Sequence, residues 1–233
     1  MGVKKYIVAG CKPWCREVFD SRISHYQGEW FFISEKDELD IRKLEEIKPE
    51  YIFFIHWSWI VPREITDKFN CVCFHMTDLP YGRGGSPLQN LIVRGRKETR
   101  LSAIKMLPEL DAGPVYMKRE LSLEGRAEEI YLRANMLASE MIEEITGQNI
   151  IPLEQTGEPV IFERRKPEES RIPRNIEKME DLYDFIRMLD APSYPKAFME
   201  TDEFRMEFEE AEISGDKELK AKVRISFRKD NKK

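Results

Sequence analysis

A chain of 233 residues with 41% hydrophobic and 11% aromatic side chains is long enough to bury a substantial core and too apolar to be disordered. Its 38 basic residues against 43 acidic ones leave a net charge of −5, which argues against a polyanion binder taken as a whole. No apolar run approaches a membrane span, and the Lys4-Lys5 pair precedes too short an apolar stretch for a signal peptide. Cys11, Cys15, Cys71 and Cys73, spaced C-x3-C and C-x-C, read as buried reduced thiols of a cytoplasmic protein rather than as a metal set.

Lys4 to Gly10 reads as a buried first strand running into the turn Cys11-Lys12-Pro13-Trp14, and Arg16 to His25 as a helix. Glu29 to Ser34 reads as the second strand and Asp40 to Lys48 as a short helix stopped by Pro49. Tyr51 to Trp57 is nearly all apolar, as a central parallel strand covered on both faces should be. Pro62 to Lys68 follows as helix and Cys71 to His75 as strand. Strands alternating with helices predict an α/β fold with a doubly wound, mostly parallel Rossmann-like sheet. In Cys71 to His75 alternation puts both sulfurs on one face.

After His75 the chain breaks into a loop with Pro80, Gly82, Gly84 and Gly85, closing on Ser86-Pro87, a helix start. Leu101 to Leu107 reads as a strand, Glu109 to Pro114 as a sharp turn, and Val115 to Leu121 as another strand. Arg126 to Thr146 is a helix with Ile130, Ala134, Leu137, Met141 and Ile145 on one stripe, closed by Gly147. Val160 to Arg165 is strand-like. A polar connector from Lys166 to Asn175 marks a boundary, so the chain divides into 1–165 and a C-terminal extension, 166–233. The extension carries a helix over Glu177 to Leu189, the corner Pro192-Ser-Tyr-Pro195, and strands Phe204 to Ile213 and Leu219 to Phe227 around Ser214-Gly215-Asp216. The strict alternation of Leu219, Ala221, Val223, Ile225 and Phe227 predicts a β-hairpin with one buried face, which makes a homodimer plausible.

Chemistry is expected where strands end beside glycine loops. His75, at a strand end, suits proton transfer near neutral pH, and Asp111, in a turn after another strand, suits the group that orients it. Gly82-Arg83-Gly84-Gly85 with Ser86 offers backbone N–H groups that an anion could occupy.

His75-Met-Thr-Asp-Leu-Pro80, then Gly82-Arg-Gly84 and Pro87, resembles the H-x-S-L-L-P-x-x-x-G-x-x-P signature of the formyltransferases that use 10-formyltetrahydrofolate. Leu110-Asp111-Ala-Gly113-Pro114 is similar to that family's D-x-G loop. Arg164-Arg165-Lys-Pro167, Phe185-Ile-Arg187 and Pro192-Ser-Tyr-Pro195-Lys-Ala-Phe198 resemble the region after the catalytic domain in sugar N-formyltransferases. The resemblance implies that a primary amine attacks the formyl carbon through a tetrahedral oxyanion, with His75 taking the proton or steadying the oxyanion and Asp111 orienting His75. The family's asparagine, an oxyanion donor, is Cys73 here, a weak donor, and His56 is the favoured substitute. Cofactor contacts are expected from Trp57, Ser58, Trp59, Ile60, Pro80, Arg83 and Gly84, and substrate contacts from Lys12, Trp14 and Tyr194. No metal is expected.

Among family substrates a nucleotide-linked 4-amino-4,6-dideoxy sugar is the expectation, and nucleic acid is not. Residues Asp216 to Lys233 carry eight basic and three acidic residues, but Glu200 to Glu212 carries seven acids. The alternatives are an enzyme like methionyl-tRNA formyltransferase, or a folate- or sugar-nucleotide-binding protein with catalysis weakened at Cys73.

Overall fold

The structure is a computed structural model describing residues 2–192, 194–214 and 217–228. The chain runs β1 (Lys5–Ala9), α1 (Pro13–Ser21), β2 (Glu29–Ile33), α2 (Ile41–Ile47), β3 (Tyr51–Phe54), α3 (Arg63–Thr66), β4 (Cys71–His75), β5 (Tyr81–Gly84) and α4 (Pro87–Val93). It continues β6 (Glu98–Lys105), β7 (Val115–Ser122), α5 (Ala127–Gly147), β8 (Val160–Phe162), α6 (Met179–Arg187), β9 (Ala197–Glu200), β10 (Phe204–Ile213) and β11 (Leu219–Phe227). Two compact units result: Met1–Pro87 with Thr99–Leu121 and Tyr131–Phe162, and Leu88–Glu98 with Ser122–Ile130 and Glu163–Lys233.

The first unit holds a six-stranded sheet in the order β2-β1-β3-β4-β6-β7. Strand β1 pairs in parallel with β2 and β3, and β3 with β4, as the strand–helix alternation predicts. Strand β6 departs from this, pairing antiparallel with β4 so that Ser102 lies opposite His75 and Lys105 opposite Val72. Period-two alternation sorts the side chains of the parallel strands. Ile7, Ala9, Ile52, Phe54 and Cys71 join Leu44 and Ile65 in one core cluster, with Cys73 packed against it. The opposite face carries a row of rings, Tyr6, Trp30, Phe53 and Phe74, with successive centroids 4.5, 6.2 and 6.3 Å apart. A sheet apolar on both faces is what helix-covered parallel strands require.

Local chemistry sets the element ends. Asp40 caps α2 by accepting from the N–H groups of Arg42 and Lys43 at 2.9 and 3.1 Å, a device worth about 1 kcal/mol. The predicted strand over Tyr51 to Trp57 stops at Phe54, because His56 turns the chain off the sheet with φ of 49°. The helix expected over Pro62 to Lys68 contracts to Arg63–Thr66. The glycine loop contains a strand that its composition does not suggest: β5 pairs in parallel with β8. Gly84 permits this, since its φ is +108° and a Cβ there would meet the Phe162 carbonyl oxygen at 2.3 Å.

The second unit carries an antiparallel sheet, β11-β10-β9. Helix α6 and this sheet enclose a groove of about 440 Å³ lined by Ile172, Leu182, Ile186, Met199, Phe208 and Val223. Arg187 is buried with its charge satisfied: it donates to the carbonyls of Leu123 and Gly125 at 2.6 and 2.7 Å and to Asp184 at 2.6 Å. The predicted hairpin strands are present with the expected bounds; Gly215 and Asp216 of the turn, and Ser193 of the Pro192–Pro195 corner, lie outside the described residues. The expectation of one buried hairpin face is corrected. Ile225 and Phe227 are 63% and 79% exposed. The groove beside α6 takes in Leu219, Ala221 and Val223 only, so the outer half of this edge strand is left uncovered. No helix among the described residues is long and apolar enough to cross a membrane.

Candidate active site

Because β1, β3 and β4 run parallel in adjacent positions, the segments that follow them emerge at one edge of the sheet, where open α/β sheets bind ligands. These segments contain Lys12 and Trp14, then His56 to Ile60, then the stretch beyond His75. His75 is buried, at 8% exposure. Its Nε2 lies 2.7 Å from the Gly82 carbonyl oxygen. A carbonyl only accepts, so Nε2 carries a proton and donates it, leaving Nδ1 as the ring atom that faces Asp111 Oδ2 at 3.5 Å. Thr77 reinforces the arrangement by donating from Oγ1 to the same Gly82 oxygen at 3.3 Å.

Strand β6 runs away from the His75 end, and the turn from Met106 to Pro114 brings Asp111 back to it. That turn is tightly specified. Asp111 has φ of 52°, a left-handed conformation that costs a non-glycine residue about 1 kcal/mol. Its Oδ2 accepts the Gly84 N–H at 2.9 Å. A Cβ on Gly113 would stand 1.7 Å from the Lys105 carbonyl oxygen, so no side chain fits. Gln155 donates from Nε2 to the carbonyls of Asp111 and Gly113 at 2.8 and 2.9 Å.

Cys73 lies two residues before His75 and so projects from the same face of β4. Burial and the nearby Asp111 carboxylate push its thiol well above the ordinary range, so it stays protonated and offers only a weak S–H donor. His56 does not share this setting. Its ring packs edge-on against Trp14 and Tyr131, with centroids 6.1 and 5.0 Å away, and burial together with the Lys12 charge pushes it down to about 4. A neutral ring held among aromatics is not brought to His75 by any hydrogen bond among the described residues. Thr77-Asp78, which stand where the signature has Ser-Leu, have partners of their own. Ser102 Oγ donates to the Thr77 carbonyl at 2.7 Å, and Lys118 Nζ donates to Asp78 Oδ1 and the Leu79 carbonyl, each at 2.5 Å.

The other predicted contacts divide. Trp57 and Trp59 form an edge-to-face pair 4.8 Å apart, and no acceptor among the described residues reaches the buried indole N–H of Trp57. Ser58 Oγ is 3.2 Å from Cys11 Sγ, and Ile60 is almost wholly exposed. Pro80 follows a cis peptide bond and is half-buried. Arg83 turns inward: its Nε and Nη2 donate to Gln155 Oε1 at 3.1 and 2.9 Å. Lys12 sits half-buried at the N-terminus of α1. Trp14, expected to face substrate, is buried and stacks on Tyr131 with centroids 5.5 Å apart. Tyr194 belongs to the second unit, where its N–H donates to the Ala191 carbonyl. The anion cradle expected of Gly82 to Ser86 is also corrected, since the N–H groups of Gly84 and Gly85 are taken by Asp111 and by the Phe162 carbonyl. Gln155 went unnoticed in the sequence, where a lone glutamine in a loop carries no signal.

A family model described as the methionyl-tRNA formyltransferase C-terminal domain matches residues 167–226. The chain is 44% identical to the solved structure of a methionyl-tRNA formyltransferase from Clostridium thermocellum, with a TM-score of 0.91 over 97% of this chain and 100% of that one. A curated methionyl-tRNA formyltransferase of Rickettsia massiliae (strain Mtu5) is 30% identical over 135 residues, 55% of this chain and 45% of that protein. The chain thus spans about half the length of the curated relatives it matches. A 4-N formyltransferase from Francisella tularensis shares the fold, with a TM-score of 0.66 and 16% identity over 85% of this chain and 93% of that one. Two expectations fall here. The nucleotide-linked amino sugar is displaced, because the 44% identity over 97% of the chain, and the partial matches to curated relatives, lie with proteins named for methionyl-tRNA. The exclusion of nucleic acid falls with it, because these relatives are named for a tRNA and a net charge of −5 leaves room for a local basic stretch such as the one after Asp216.

Proposed function

As the chain belongs to the methionyl-tRNA formyltransferase family, we propose that it transfers a formyl group from 10-formyltetrahydrofolate to the amino group of methionyl-tRNA. The observation that carries this reading is the 44% identity spanning 97% of the chain. The sheet edge supports it independently, because a buried histidine and a carboxylate meet there across 3.5 Å. The bound folate supplies a formyl carbon open to attack by an amine.

Around that carbon the chain's own residues have separable tasks. His75 takes up on Nδ1 the proton that the amine loses and returns it to the folate nitrogen that leaves, while Asp111, fixed by the Gly84 N–H, stabilises the imidazolium in between. The orphaned indole N–H of Trp57 fits an acceptor on the pterin, and the paired rings of Trp57 and Trp59 offer it an apolar wall. Enclosure of His75 keeps water from competing for the formyl group. Basic side chains of β11 answer the phosphates of the RNA.

A second reading, binding without turnover, draws support from Cys73, whose protonated thiol is a poor replacement for a carboxamide donor. One assay separates the two. The protein is incubated with 10-formyltetrahydrofolate and, in parallel, with charged initiator methionyl-tRNA, glycinamide ribonucleotide and amino-sugar nucleotides. Formylation of the tRNA alone is expected. Folate binding with no formylated product from any acceptor would leave only the binding reading.

A further inference from the structure

Asp111 holds a left-handed backbone, φ 52°, which aspartate tolerates better than most residues but which its surroundings must still fix. The carboxylate contact to Gly84 fixes one end of the residue. The other end, the main chain, is fixed by Gln155. We infer that Gln155 is a positioning residue of the formyl-transfer site, and that its carboxamide sets the stance of Asp111 against His75.

The orientation of the Gln155 amide is unambiguous from its partners. The carbonyls of Asp111 and Gly113 have no hydrogen to give, so both must face the NH2 group, at 2.8 and 2.9 Å. The Arg83 guanidinium has no lone pair to offer, so it must face Oε1, which it reaches from Nε and Nη2 at 3.1 and 2.9 Å. The side chain therefore uses both donors and its acceptor at once. It joins two segments that lie 44 and 72 residues before it in sequence. One is the turn bearing Asp111. The other is β5, whose Gly82 carbonyl takes the His75 Nε2 proton and whose Gly84 N–H holds the Asp111 carboxylate. Both polar groups that face the imidazole nitrogens thus rest on a segment that Gln155 ties down. Gln155 is itself anchored, since the preceding Leu153 exchanges backbone hydrogen bonds with Val115 at 2.7 and 2.9 Å. Arg83, expected to contact cofactor, is on this geometry the far side of the clamp, with its side chain 14% exposed.

The inference rests on the formyltransferase reading for its catalytic consequence, and two readouts keep them apart. Gln155→Ala removes all three functions of the carboxamide. Gln155→Glu keeps the size and the acceptor for Arg83 but replaces the donors with a carboxylate oxygen facing two carbonyls. Both variants, in the full chain, should lose at least about tenfold in kcat for methionyl-tRNA while KM stays within about twofold. Amide hydrogen exchange at Gly84 should quicken by at least about tenfold in both, because its acceptor is no longer held. A filler of space would be rescued by Gln155→Glu, and unchanged kcat with unchanged Gly84 protection in that variant overturns the inference. A fall in kcat matched by an equal rise in KM, with Gly84 still protected, also overturns it. If the parent protein formylates no charged tRNA, the functional reading fails. Gly84 exchange then decides the linkage alone, with lost protection upholding it and retained protection refuting it.

Discussion

The His75 edge and the β10–β11 hairpin use polar residues in opposite ways. At the edge the polar groups around His75 are largely enclosed and have designated partners: Gly82 for His75 Nε2, Gly84 for Asp111, Gln155 for Arg83. On the hairpin the charges are exposed and loosely paired, as between Lys222 and Glu210 or Lys220 and Glu218. Removing one partner at the edge strands a buried group and disturbs the rest, whereas an exposed pair is worth well under about 1 kcal/mol. On the proposed function, chemistry falls to a few irreplaceable residues at the edge, and long-range attraction of the RNA to many replaceable ones on the hairpin. The two regions differ in how mutations should read out.

The largest effect is expected at the edge. Asp111→Ala should lower kcat by about a thousandfold, equivalent to about 4 kcal/mol, while the protein stays folded. Single-turnover formylation measures this, and a loss below tenfold would mean that the pair with His75 is not the reacting centre. Next comes pH. His56 is pushed from 6.5 down to about 4 by burial, so the folded state resists a proton that the unfolded chain takes readily. The stability it contributes is complete above pH 6.5 and falls away as pH drops towards 4, by up to about 3 kcal/mol. Urea midpoints across that window should flatten in His56→Asn, a residue that tolerates the left-handed backbone; parallel curves would place the loss elsewhere.

The hairpin should respond more gently. Replacing Lys220 and Arg224 together by alanine should weaken tRNA binding about tenfold at low salt and reduce the slope of log affinity against log salt by between about 1 and 2. Equal slopes in the two proteins would remove β11 from the RNA contact. Smallest of all, Cys73→Ala should alter kcat by less than about threefold, because a thiol is a weak donor. A larger fall would make the sulfur a participant at the edge and blur the contrast between the two regions.

The same contrast explains what the sequence discloses. His75 and Asp111 are legible because each stands inside a spaced signature of glycines and prolines, and the parallel sheet because its strands are continuous apolar runs. The hairpin bounds are legible from strict alternation, but the cover on its apolar face is not, since how far α6 extends along β11 is a tertiary matter. Strand β5 is illegible because Gly82 and Gly84 have no strand preference and the segment is recruited by Val160 to Phe162. Gln155 leaves no trace, since its role depends on partners far away in sequence. The acceptor is illegible because the motifs Arg164 to Pro167 and Pro192 to Phe198 resemble those of sugar enzymes, and because the basic residues after Asp216 stand beside seven acids that mask them in any local charge count.

Burial pushes the thiols of Cys15 and Cys71 up to about 12, and that of Cys73 higher still. At neutral pH these thiols stay protonated, and the thiolate is the species that alkylators, peroxide and glutathione attack. The sulfur set into the floor of this sheet is therefore chemically quiet. A cysteine beside the reacting centre should accordingly react slowly with oxidants in the folded protein, which thiol titration before and after unfolding checks.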